Sequence, residues 1–202
     1  MTNTNRFARI AEGSAKKVEE ELLKVSFEYL DWSSEYFFVH GIEDKYYQKF
    51  FQCITALQLS RNDDIAKQNH PSLAPKSIFN TDNSLYPSFP EVVINKVRDK
   101  LFIETRDTEL ALSNALEITR RAFEISLGKN YGRLHGFLWN NTFHIVWTDP
   151  AHNLYPGKGT PKRSNEYAAV KCFSPIEMMR LREELAKVEE ELADLYRVWA
   201  NS

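Results

Sequence analysis

Apolar residues recur along this chain with two periods, and the switches between them mark out its elements. Residues 43–59 carry Tyr46, Tyr47, Phe50, Phe51, Ile54 and Leu57 at spacings of three and four, which predicts a helix with one aromatic face. Residues 108–122 repeat the pattern with Leu110, Leu112, Ala115, Leu116 and Ile118, and Asp107 or Thr108 is placed to cap them. Good helix formers over 6–24 predict a first helix. Residues 25–30 and 35–40, rich in β-branched and aromatic residues, read as strands, as do the alternating 122–127 and the short run 167–173. Residues 91–105 fit helix or strand. Between them, 60–90 are polar and broken by four prolines, a long loop of the kind that is functional or mobile in compact domains.

The clearest helix comes last. Ser174, Pro175 and Glu177 form a capping box with proline at the first helical position. Met178, Leu181, Leu185, Val188, Leu192, Leu195 and Trp199 then alternate spacings of three and four without a break. A stripe of two apolar positions in seven is the pattern of a coiled-coil seam. It predicts homodimerisation through 175–200, or packing of this helix back onto the chain. The hexapeptide KVEEEL, at 17–22 and again at 187–192, is shared helix grammar and not a repeat.

The most concentrated chemistry lies in 133–159. Asn140-Asn141 suits a two-residue type I′ turn, because asparagine tolerates positive φ. With that turn, Trp139 faces Thr142, Phe137 faces His144, and His135 faces Val146. Alternation then puts Leu134, Leu138, Phe143, Ile145 and Trp147 on a core face, with Gly136 leaving room for the rings. Arg133, His135, Phe137, Trp139, Thr142, His144, Val146 and Thr148 share the other face, with His135 and His144 as diagonal neighbours. Asp149-Pro150 ends the strand. His152 and Tyr155 follow, then Lys158, Lys162 and Arg163 in a Gly/Pro-rich basic loop.

Histidines beside an arginine, a tyrosine and lysines are the parts of a metal-independent ribonuclease. A base takes the 2′-OH proton, an acid protonates the leaving oxygen, and cations hold phosphate. The expected catalytic set is Arg133, His135, His144, His152 and Tyr155. Lys158, Lys162 and Arg163 would contact phosphates, and Phe137 and Trp139 would stack bases. An amphipathic hairpin with polar rings outside is the bland alternative. A metal site using His135, His144, Asp149 and His152 has suitable donors but no standard spacing, so neither metal nor cofactor is expected.

Bulk properties narrow the classes. The chain has 202 residues, 43% hydrophobic and 27% charged, enough to bury a core without disulfides. Its net charge of −2 means that nucleic-acid binding must come from a local patch. Two cysteines far apart in sequence, Cys53 and Cys172, point to free thiols. No apolar run is long enough for a leader or a membrane span, so a cytoplasmic protein is expected.

The run RLHGFLWNNTFHIVWTDPAHNLYP, 133–156, resembles a segment of small bacterial proteins associated with mobile elements and defence islands. Its outline, an apolar strand followed by histidine and tyrosine, is also similar to the end of RelE-superfamily messenger-RNA-cleaving toxins. The resemblance implies RNA chemistry, with His152 and Tyr155 at the matching positions. This chain departs from those toxins in being longer, mildly acidic and extended by a helix.

These readings give an α+β fold: a small antiparallel sheet with a central hairpin (133–148), helices packed on one side, and a long C-terminal heptad-patterned helix (175–200). Residues 1–173 would form one domain, with 174–202 appended. The expected function is a cytosolic bacterial defence or toxin-type protein that binds or cleaves RNA. The alternative is a non-enzymatic dimeric interaction protein that binds a partner protein, such as an antitoxin, or a phage component.

Overall fold

The computed structural model describes residues 21–80, 83–157, 159–166 and 175–200. A five-stranded mixed sheet of order β1-β5-β4-β3-β2 forms its centre. The strands are β1 (Lys24–Ser26), β2 (Lys76–Ser77), β3 (Ala122–Ser126), β4 (Arg133–Trp139) and β5 (Thr142–Asp149). The helices are α1 (Asp44–Gln58), α2 (Asn62–Ala66), α3 (Glu91–Thr105), α4 (Thr108–Arg120) and α5 (Pro175–Ala200).

The β4–β5 hairpin turns where expected. Asn140 and Asn141 hold φ of 48° and 52°, the double positive φ of a type I′ turn. Asn141 also fastens the sheet edge. Its Nδ2 donates to the Leu22 carbonyl, and its own carbonyl accepts from the Lys24 amide. That anchor lays β1 parallel to β5, with Val25 opposite Phe143. The sheet is therefore mixed, not antiparallel throughout.

Helices cover both faces, which corrects the expectation of one covered side. On one face Phe123, Ile125, Leu134, Phe143 and Ile145 pack against Tyr46, Phe50 and Leu57 of α1 and Ile65 of α2. On the other, Ala122, Phe137, Val146 and Trp147 pack against Val93 and Val97 of α3 and Ala111 and Ala115 of α4. The hairpin is apolar on both sides, and its histidine rings behave as aromatic surface. A sheet with two apolar faces must be covered twice.

The register differs from the expectation beyond Gly136. Gly136 pairs with Ile145, but His135 pairs with Trp147, so Val146 is the extra residue of a bulge. Trp147 thereby leaves the face assigned to it and joins Phe137 and His135. Its ring stacks on Phe37 at 4.3 Å, and its Nε1 donates to Asp31.

Other expectations changed in detail. The helix expected over 6–24 does not reach 21–24, where Leu22 forms a bridge with Arg61 and Lys24 opens β1; 6–20 lie outside the described residues. Strand pairing in 25–30 stops at Ser26, and 35–40 form no strand, although Phe37 and Phe38 are buried. The 60–90 loop contains α2 and β2. Residues 91–105 are helical because Val93, Ile94, Val97 and Leu101 line one buried face. Asp107 caps α4 through the Leu110 amide. The strand expected over 167–173 and the cap at Ser174 lie outside the described residues. No helix among the described residues is long and apolar enough to cross a membrane.

Candidate functional site

The sheet brings four residues from four strands into one row. Lys76 pairs with Glu124, Glu124 with His135, and His135 with Trp147. The next row on the same face holds Ser126, Arg133 and Asp149. The bulge at Val146 is what sets Asp149 opposite Arg133, because an unbulged ladder would put Thr148 there. Above these rows lies a pocket of about 370 Å³. Glu124 and His135 line it from the sheet, Arg133 and Asp149 from the strand ends, and His152 and Tyr155 from the loop after β5.

His135 is 1% exposed, and neither ring nitrogen has a hydrogen-bond partner. Its ring meets Phe37 and Trp147 edge-on. Burial pushes its pKa down to about 3, and the positive charges of Arg133 and His152 add to the effect. The ring is therefore neutral near pH 7, with one nitrogen to donate and one to accept. Such unmet groups are costly in a buried place and favour a ligand that meets them.

Asp149 shapes the loop. Its carboxylate accepts from the Asn153 amide at 2.6 Å and the Leu154 amide at 2.8 Å. Burial pushes its pKa up to about 6, opposed by those amides. Asn153 continues the clamp: its side chain bonds the Tyr36 carbonyl and both the amide and carbonyl of Lys162. Within this frame His152 adopts a φ of 60° and stays exposed at the pocket rim. Partial desolvation and then Arg133 lower its pKa, while Glu124 raises it. The Tyr155 hydroxyl accepts from the Phe79 amide at 2.9 Å.

Arg133 is only loosely held by acids, with its Nε 3.6 Å from Glu124. Its Nη1 donates to the Gly132 carbonyl and, at 3.5 Å, to Ser126. The guanidinium and Lys76 supply positive charge to the pocket, and Glu124 supplies an acceptor.

Four residues of the expected set, Arg133, His135, His152 and Tyr155, line this one pocket. His144 does not. It shares the sheet face with His135 but stacks on Phe137 at 5.1 Å and lines a separate cavity with Lys100 and Trp139. Burial pushes its pKa down to about 4. Phe137 is fully buried, so it has no face to offer a base, which corrects its expected stacking role. Trp139 is half-buried beside His144. Lys162 is exposed outside the pocket, and Arg163 pairs with Glu35 at 3.0 Å. Lys158 lies outside the described residues. Among the described residues no three of histidine, cysteine, aspartate and glutamate come together to hold a metal ion.

Sequence reasoning missed Glu124 and Lys76. Glu124 was within reach, as the only charge in an alternating strand whose other residues are apolar or small. Lys76 was not, because a two-residue strand leaves no periodic signal. No family model, curated protein or solved structure matches the chain.

Proposed function

We propose that the pocket binds and cleaves RNA by metal-independent acid–base chemistry, with the chain acting in the cytoplasm. The observation that carries this reading is the convergence of Arg133, His135, His152 and Tyr155 on one cavity with Glu124 and Lys76. Arg133 and Lys76 hold the phosphate. His152, exposed and titratable, donates the proton to the leaving 5′-oxygen. The low proton affinity of His135 suits it to hydrogen-bond the substrate, not to remove a proton, so the base is the neighbouring carboxylate of Glu124. The 2′-oxygen attacks phosphorus as its proton passes to Glu124, leaving a 2′,3′-cyclic phosphate and a 5′-hydroxyl.

The test is incubation of the purified chain, without metal, with end-labelled RNA of mixed sequence. Fragments with those ends are expected, with rates reduced ~10²-fold or more by His152→Ala or Glu124→Gln. Intact RNA under the wild-type chain at all pH values from 5 to 8 would reject the proposal.

A further inference from the structure

Between Leu181 and Leu195 the stripe on α5 is uncovered. Leu181, Leu185, Val188, Leu192 and Leu195 are each between 38% and 67% exposed. The apolar faces of α1 and α3, by contrast, are buried against the sheet. From Leu181 to Leu195 the apolar stripe runs for about 21 Å along α5, and isolated apolar seams of this kind associate with another helix.

Its charges are not spread evenly about that seam. With Leu185 and Leu192 at one core position of the heptad and Leu181, Val188 and Leu195 at the other, the flanking positions between 179 and 199 hold Arg182, Glu184, Glu189 and Glu191. The outward positions hold Glu183, Glu190 and Asp194 against Arg180, Lys187 and Arg197, which balance. Two of these cations pair on the helix itself, Arg180 with Glu184 and Arg197 with Asp194. All the net negative charge of this stretch therefore lies along the edges of the seam, where charges choose the partner.

A second copy fits those edges poorly. A parallel copy sets Glu184 opposite Glu189 on both sides, and the Glu177–Arg182 pairs that the same heptad sets across the seam do no more than balance these repulsions. An antiparallel copy pairs Arg182 with Glu189 but sets Glu184 against Glu191. We propose that α5 is the docking element for a different protein, an amphipathic helix with leucine-type core positions and lysine or arginine along both edges. Such a helix meets Glu184, Glu189 and Glu191 together and leaves only Arg182 opposed.

The test uses the full chain. Light scattering at micromolar concentration is expected to give the monomer mass of 23.6 kDa. Calorimetric titration then compares two synthetic four-heptad peptides with leucine at both core positions, one with lysine and one with glutamate at the edges. Binding of the lysine peptide ~10-fold or more tighter, with the preference shrinking in high salt, is expected. The double variant Glu184→Lys/Glu191→Lys should lose that preference; these side chains are exposed, so the fold is not at stake. A stable dimer of the wild-type chain would assign the seam to a second copy and overturn the proposal. Equal binding of the two peptides, or binding of neither, would overturn it as well.

Discussion

Arg133 and Asp149 face one another at the end of the β4–β5 ladder, a pairing that exists only because Val146 is bulged out of register. The pair stands where two stretches of backbone come close together. Gly132, the residue before Arg133, has a φ of 84°, and a Cβ there would lie 2.5 Å from the Pro150 Cα and close to the Asp149 carbonyl. Backbone crowds it, so no side-chain movement relieves the clash. Gly132→Ala is expected to cost about 2 kcal/mol or more in urea denaturation, from both the left-handed φ and the collision. A wild-type midpoint would show that this end of the hairpin is looser than described.

Gly136→Ala tests the middle of the same hairpin. A Cβ would lie 2.8 Å from the Phe143 ring and press on the His144 carbonyl. The ring is packed in the core and the carbonyl belongs to the ladder. A loss of about 2–3 kcal/mol is expected, the usual cost of overpacking a core. The variant should fold less stably while leaving the α5 edge charges, and any helix bound there, unaffected.

Much of this framework could be read in the chain, and the unread parts have physical reasons. The Asn140-Asn141 turn, the aromatic face of α1 and the 175–200 helix all follow local rules of φ preference and periodicity. The bulge does not, since Val146 differs in nothing from a regular strand residue. The second apolar face was hidden by residue type: His135 and His144 count as polar, yet their rings are enclosed by Phe37, Trp147, Phe137 and Tyr29. Arg133, His135, His152 and Tyr155 were legible as candidates because they are close in sequence. Lys76 reaches the pocket through pairing that only the folded sheet sets.

Asn153→Ala tests what holds the loop that carries His152. The side chain is 1% exposed and makes three hydrogen bonds, to Tyr36 and Lys162. Each is worth about 1 kcal/mol, so a loss of roughly 2–4 kcal/mol is expected. Limited proteolysis should find new cuts between 156 and 163 well before global unfolding. Unchanged cutting would show that Lys162 is held by other means.

Stability should fall with acid. His135 titrates near 3 and His144 near 4 in the folded chain, both below the ordinary 6.5. The unfolded chain therefore binds more protons below pH 6.5, and the stability that the neutral rings contribute above that value is lost on the way down. Asp149 acts the other way, because its folded value near 6 exceeds the ordinary 3.8 and protonation stabilises it between the two. Two groups against one leave a net loss on the order of a few kcal/mol between pH 6.5 and 4. Denaturation midpoints across that range check it, and His135→Gln should flatten the slope. A stability that rises towards pH 4 would mean the rings are not buried as neutral groups.

The proton affinity of His152 can be read directly from its ring signals by NMR titration, whether or not any RNA is present. It should titrate below 6.5, since desolvation at the rim and the charge of Arg133 both disfavour its protonated form. Arg133→Ala removes one of these and should move the titration up. Glu124→Gln removes the group that favours the protonated ring and should move it down. Opposite shifts from two neighbours cannot come from a general loosening of the loop, which would move both variants up towards the ordinary value. If His152 is the acid in RNA cleavage, kcat/KM should fall as pH rises through the same midpoint and follow it in each variant that retains activity. A rate profile that stays put while the NMR midpoint moves would take the proton transfer away from His152 and leave it a wall of the pocket.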